Sequence, residues 1–225
     1  MKASPGARSW IAAGVRHELL TRALPALRHD MAAPVSVIRM ALLMLKRQIG
    51  APAIDAAACE ERVALIDGQV SELVEGIRSL RDWELATVDD GITRSALVAQ
   101  CVGLMRAAFD MHGVSLDVDP ALEAQENEAR RPQGAALRYL LLGGLGYLHD
   151  GAPEAGAIRI EPDGDDALRL SALPRESSGV SPVLDAHRAP RALAIDAIAL
   201  QSLAEDLGYT VALERDSVRF PLATG

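Results

Sequence analysis

Residues 20–49 read LTRALPALRHDMAAPVSVIRMALLMLKRQI, with apolar side chains at Leu20, Leu24, Leu27, Met31, Val35, Ile38, Leu42, Leu45 and Ile49. Steps of three and four sustained over so many turns place one narrow apolar seam along a long helix. Gly50-Ala51-Pro52-Ala53 breaks the pattern, which resumes at Val63, Ile66, Val70, Leu73, Ile77 and Leu80. Two such helices with a short connection predict an antiparallel αα-hairpin. A hairpin covers only one side of each seam. A second copy, giving a dimeric four-helix bundle, is the expected completion; the competing expectation is a monomer whose C-terminal half covers the seam.

Around Asp89-Asp90-Gly91 the periodicity changes, which places a domain boundary at about residues 85–91 and divides the chain into 1–88 and 89–225. Beyond it, Ser95 to Met111 reads as a helix, Val114 to Val118 alternates like a strand, and Gly134 to Leu148 is apolar enough for a buried helix. Ala157-Ile158-Arg159-Ile160 and Ala167-Leu168-Arg169-Leu170 flank Asp163-Gly164-Asp165-Asp166 as a hairpin should. Ala192 to Leu207 reads as a helix closed by Gly208 at a left-handed cap, and residues 210–213 and 217–220 form a last hairpin around Asp216. Glu123 to Arg131 reads as a solvated loop. The fold class is therefore α+β: a helical hairpin followed by an α/β sandwich with helices laid on a mixed sheet.

Composition narrows the function classes. The 225 residues carry 23 Lys+Arg against 31 Asp+Glu, a net charge of −8, so holding a nucleic-acid backbone by broad phosphate neutralisation is not expected. Only Lys2 and Lys46 are lysines, and 2 Trp, 3 Tyr and 2 Phe are few stacking platforms in a chain that is 49% apolar. No apolar stretch reaches the length of a membrane span, and Met1 to Trp10 lacks the apolar stretch of a signal peptide. Cys59 and Cys101 form no CxxC pair, and His17, His112, His149 and His187 have no partner at metal-ligand spacing. These features predict a cytoplasmic protein without a metal centre, both cysteines acting as buried small hydrophobes.

The candidate chemistry lies in Arg28-His29-Asp30-Met31-Ala32-Ala33-Pro34. His29 is two residues from Leu27 and two from Met31, so at 100° per residue it lies about 160–200° from the seam. It is expected to point outward. Pro34 lacks an N–H and its ring collides with the carbonyl of Asp30, which kinks the helix within a turn of His29. A neutral imidazole offers an Nε2 lone pair. Asp30, accepting from the other ring nitrogen, would fix the tautomer and steady the cation that forms. A surface histidine that merely precedes an aspartate is the alternative.

This stretch resembles the H-box of two-component sensor histidine kinases: His29, an acidic Asp30, a hydrophobic Met31, two variable positions, then Pro34. The resemblance implies that His29 is the phosphoacceptor and Asp30 its acid–base partner, on a dimerisation and phosphotransfer hairpin. Four residues after the histidine, where bifunctional members carry Thr or Asn to place a hydrolytic water, this chain has Ala33, which speaks against phosphatase activity. Residues 92–222 resemble the family's ATP-binding domain in order of elements, but its boxes are missing. The two asparagine positions, one a magnesium ligand, are Gly143 and Tyr147, and neither supplies a side-chain amide or carboxylate. Pro174-Arg175-Glu176-Ser177-Ser178-Gly179 replaces the adenine-reading Asp-x-Gly-x-Gly, and Ala189-Pro190-Arg191-Ala192-Leu193 replaces the phosphate loop, where Pro190 has no N–H to offer.

A phosphoacceptor hairpin joined to such a domain resembles the dimeric histidine phosphotransferases of the ChpT type. That implies a bacterial phosphorelay protein passing phosphoryl between receiver-domain aspartates through His29. The receiver would supply magnesium, ATP would not bind, and Arg28 and Pro34 would lie at the receiver contact. A pseudokinase that sequesters a response regulator or kinase, and a divergent ATP-dependent histidine kinase, are the alternatives.

Overall fold

The computed structural model describes residues 5–84, 91–175 and 193–224; for residues 5, 26, 27, 29, 30, 78–84 and 107 the backbone course alone is described. The chain divides into two compact units, Leu24–Val88 and Met1–Ala23 together with Asp89–Gly225. The first 23 residues thus group with the C-terminal unit, a grouping the reading of 1–88 as one domain did not foresee. The expected boundary at 85–91 falls almost wholly outside the described residues.

Helix α1 spans Pro5–Ile49 and α2 spans Ala56–Glu84. The break comes at Gly50 to Ala53 as the sequence predicts, and Asp55 restarts the helix by accepting from the Ala58 N–H at 3.1 Å. In the hairpin unit α1 covers Met31, Pro34, Ile38, Ala41, Leu45 and Gln48, while α2 half-buries Cys59, Arg62, Ile66, Gln69, Leu73 and Gly76. Matched stripes at three- and four-residue spacing are what two helices of one hairpin, pressed together, produce. The rest of the predicted seam remains open: Val35, Leu42, Ile49, Val63, Val70 and Ile77 are each 41–56% exposed.

In the other unit, β1 (Ile92–Thr93) pairs antiparallel with β3 (Arg130–Arg131), so the predicted loop at 123–131 ends in a strand. Helix α3 (Arg94–Asp110) starts under a cap from that loop: Glu128 accepts from the Ser95 N–H at 2.8 Å and from the Ser95 hydroxyl. Five strands, β2 (Ser115–Val118), β4 (Ala155–Pro162), β5 (Ala167–Pro174), β6 (Ala212–Leu213) and β7 (Ser217–Pro221), form one sheet in the order β2-β4-β5-β7-β6. Only β2 and β4 run parallel, so the sheet is mixed as expected. Ile158, Ile160, Leu168, Leu170, Val218 and Phe220 are fully buried, while Arg159, Arg169 and Arg219 alternate onto the other face.

Helix α4 (Gly134–Gly151) lies on this sheet, with α3 and α5 (Ala197–Asp206) against it. Its Leu137, Leu140, Leu141, Leu142 and Leu145 have no exposed surface. The helix predicted from Ala192 starts later, because Asp196 caps it by accepting from the Ala199 N–H at 2.8 Å. Gly208 does take the left-handed conformation at its end, φ +78°. Among the described residues no helix is long and apolar enough to cross a membrane.

Candidate functional site

His29 and Asp30 lie within the continuous helix α1, with their side chains outside the described residues. The residues around them are described. Arg28 and Ala33 are exposed, Met31 is half-buried, and Pro34 is buried on the stripe matched by α2. The proline thus faces the hairpin seam, where its missing N–H and its clash with the residue-30 carbonyl fall one turn beyond His29. A second proline, Pro25, stands inside the same helix and disturbs the carbonyl of Thr21 in the same way. Two helix-breaking residues flanking one histidine within ten positions is a feature that the single-proline reading missed.

The positions corresponding to the kinase asparagines are packed. A Cβ at Gly143 would stand 2.9 Å from Leu200 Cδ1 and 3.0 Å from Leu203 Cδ2, so two leucine tips of α5 lie against α4 there. Tyr147 donates its hydroxyl to the Glu214 carbonyl at 3.2 Å. The segment holding Ser177, Ser178, Gly179 and Pro190 lies outside the described residues, as does His187. Among the described residues no group of three or more His, Cys, Asp or Glu is placed to hold a metal ion.

The other singled-out residues separate by environment. Cys101 is buried, and burial pushes its thiol well above the usual range despite the nearby Arg138 guanidinium. Cys59, expected to be buried, is half-buried. His17 and His112 are exposed, whereas His149 is 3% exposed, edge-on to Phe109 and to His112, with Nδ1 3.4 Å from Asp150 Oδ1.

Asp150 is the site residue that the sequence reading did not single out. Its carboxylate takes both guanidinium nitrogens of Arg22, at 3.1 and 2.8 Å, and the Ile195 N–H at 2.8 Å. Arg22 also donates to Glu18 at 2.8 Å and to the Leu193 carbonyl at 2.9 Å. The only sequence signal was the Glu18–Arg22 pair at i,i+4, which is too common on helices to mark a long-range contact.

No family model matches the chain, and no curated protein matches it. Solved structures similar to it are the Acinetobacter baumannii histidine kinase AdeS and the cytoplasmic segment of histidine kinase QseC. The first is 14% identical over 86% of this chain and 95% of that one, with a TM-score of 0.34. The second is 14% identical over 68% of this chain and 92% of that one, with a TM-score of 0.35.

Proposed function

We propose that the chain is a histidine phosphotransferase of a two-component phosphorelay, working as a homodimer through His29. The observation that carries this reading is the placement of His29-Asp30-Met31 and Pro34 on the first helix of a hairpin. Arg28 is exposed beside the histidine, and the proline is turned into the seam. The open half of that seam, Val35, Leu42, Val63 and Val70 among it, supports a second copy as its cover. That neither Gly143 nor Tyr147 offers a side-chain amide or carboxylate supports a second unit that works without nucleotide.

The chemistry asks little of the chain. The Nε2 lone pair of neutral His29 attacks the phosphorus of a receiver's aspartyl phosphate. The P–N bond forms as the acyl phosphate P–O bond breaks, and the receiver's carboxylate leaves with the electron pair. Asp30 accepts from the opposite ring N–H and offsets the imidazolium charge. Reversal onto the aspartate of a second receiver completes the relay, with magnesium held by the receivers. Arg28 gives the docking face a positive group opposite an acidic receiver site.

Labelled ATP alone and a labelled phospho-receiver are the two donors to compare. Acid-labile label taken only from the receiver, and lost in His29→Gln, is the expected result. Label from ATP would make the chain a kinase, and receiver binding with no label from either donor would make it a sequestering module. Label retained by His29→Gln would remove the site assignment.

A further inference from the structure

The part of α1 between Pro5 and Ala23 is held on the second unit differently from that unit's other helices. Its buried stripe is Ala12, Val15, Leu19 and Ala23, in which leucine is the one large side chain. This segment meets α4 and α5 through side chains. Three arginines flank the stripe and each meets an acid across the groove: Arg8 with Glu205, Arg16 with Asp206 at 2.6 Å, and Arg22 with Asp150. Arg16 also lies over the Tyr139 ring, 5.7 Å from its centroid. Gly146 provides the floor, since a Cβ there would stand 2.7 Å from Ile195 Cδ1 and 3.5 Å from both Arg22 Nη1 and Leu19 Cδ2.

We infer that residues 5–23 form a releasable clasp: a basic amphipathic helical segment seated in an acidic, apolar groove between α4 and α5. Arg22–Asp150 is its latch and Pro25 its joint. The latch is desolvated, with side chains 13% and 4% exposed, and three of Arg22's four described hydrogen bonds, two to Asp150 and one to the Leu193 carbonyl, depend on the segment being seated; the fourth is to Glu18 within the segment. Arg8 and Glu205, at 39% and 54%, sit at the open end where salt screens them. The second unit's core also includes Leu140, Leu141, Leu145, Ile158, Ile160 and Phe220, none with exposed surface. At Pro25 the helix loses the hydrogen bond to the Thr21 carbonyl, so seating and release of the segment need not propagate through an unbroken ladder. The inference is independent of whether His29 carries phosphate.

Hydrogen–deuterium exchange on the full chain, comparing wild type, Arg22→Ala and Arg22→Lys, tests it. In the wild type, amides of 5–23 are expected to exchange at least about tenfold faster than those of 140–148. Arg22→Ala should accelerate 5–23 by a further factor of about ten or more while leaving 140–148 and 158–160 within about twofold. Arg22→Lys keeps the charge but loses the fork and should fall between. In the wild type, raising salt from about 0.05 to 0.5 M should loosen residues 5–16 several-fold before residues 19–23. Exchange of 5–23 in step with α4 in the wild type, or an unfolded Arg22→Ala, would make the segment part of the core and overturn the clasp. So would an unchanged rate in 5–23 when Arg22 is removed.

Discussion

From Pro5 to Ala23, helix α1 buries small residues against α4 and the approach to α5, held at the edges by arginines. From Leu24 to Ile49 it covers larger ones, Met31, Ile38 and Leu45, alongside α2. Both stretches repeat in steps of three and four, so periodicity alone makes them one helix with one seam. Their partners differ in kind. A face lined with acids selects small apolar residues framed by arginines, because those charges must pair before burial stabilises anything. A face offered by another heptad helix selects large aliphatic side chains that fill the space between two backbones.

The largest expected effect lies in the lower stretch, where apolar surface remains uncovered. Leu42→Asp places a charge on the open seam and should convert a homodimer to a monomer, halving the mass seen in sedimentation equilibrium. A wild-type chain that already sediments as a monomer would show that the open face is covered in some other way. Gly146→Val probes the upper stretch. Its side chain must displace Ile195 and the tips of Leu19 and Arg22, and the overpacking should cost about 1–3 kcal/mol in denaturant unfolding.

The smallest effect belongs to an ion pair that lacks burial. On the outer sheet face, the hydrogen bond from Arg219 holds the Asp163 carboxyl below its ordinary value of 3.8, against a smaller opposing effect of desolvation. A depressed carboxylate contributes stability that is present above the unfolded pKa and lost as pH falls through the folded one. Asp163→Asn should therefore lower neutral stability slightly and flatten the loss of stability below about pH 4. Asp150→Asn, which disturbs the buried latch instead, should loosen residues 5–23 at neutral pH, where exchange reads it.

Much of the architecture was legible residue by residue. The 163–166 turn joins its two strands, with Gly164 at φ +70°, and Gly208 closes α5. The Gly50–Ala53 break ends α1 where breakers should. Less legible were elements whose stability is not local. Two residues each of β1 and β3 carry no period to detect, and β2 pairs with β4 far along the chain, Ser115 with Ala157. Asp196 was visible as a capping residue type, yet the apolar run before it drew the predicted helix start several residues too early.

The sequence by itself determined the helical hairpin, the α+β character of the rest, and the histidine with its acidic neighbour and the proline five residues on. Each of these depends on spacing or backbone chemistry within a few turns. Only the tertiary structure decided that the first 23 residues leave the hairpin for the second unit. It also decided that Arg22 meets Asp150, 128 positions away, and that α5 presses on Gly143. A helix period states which residues share a face; which surface that face meets depends on where complementary charge and depth appear once the whole chain has folded.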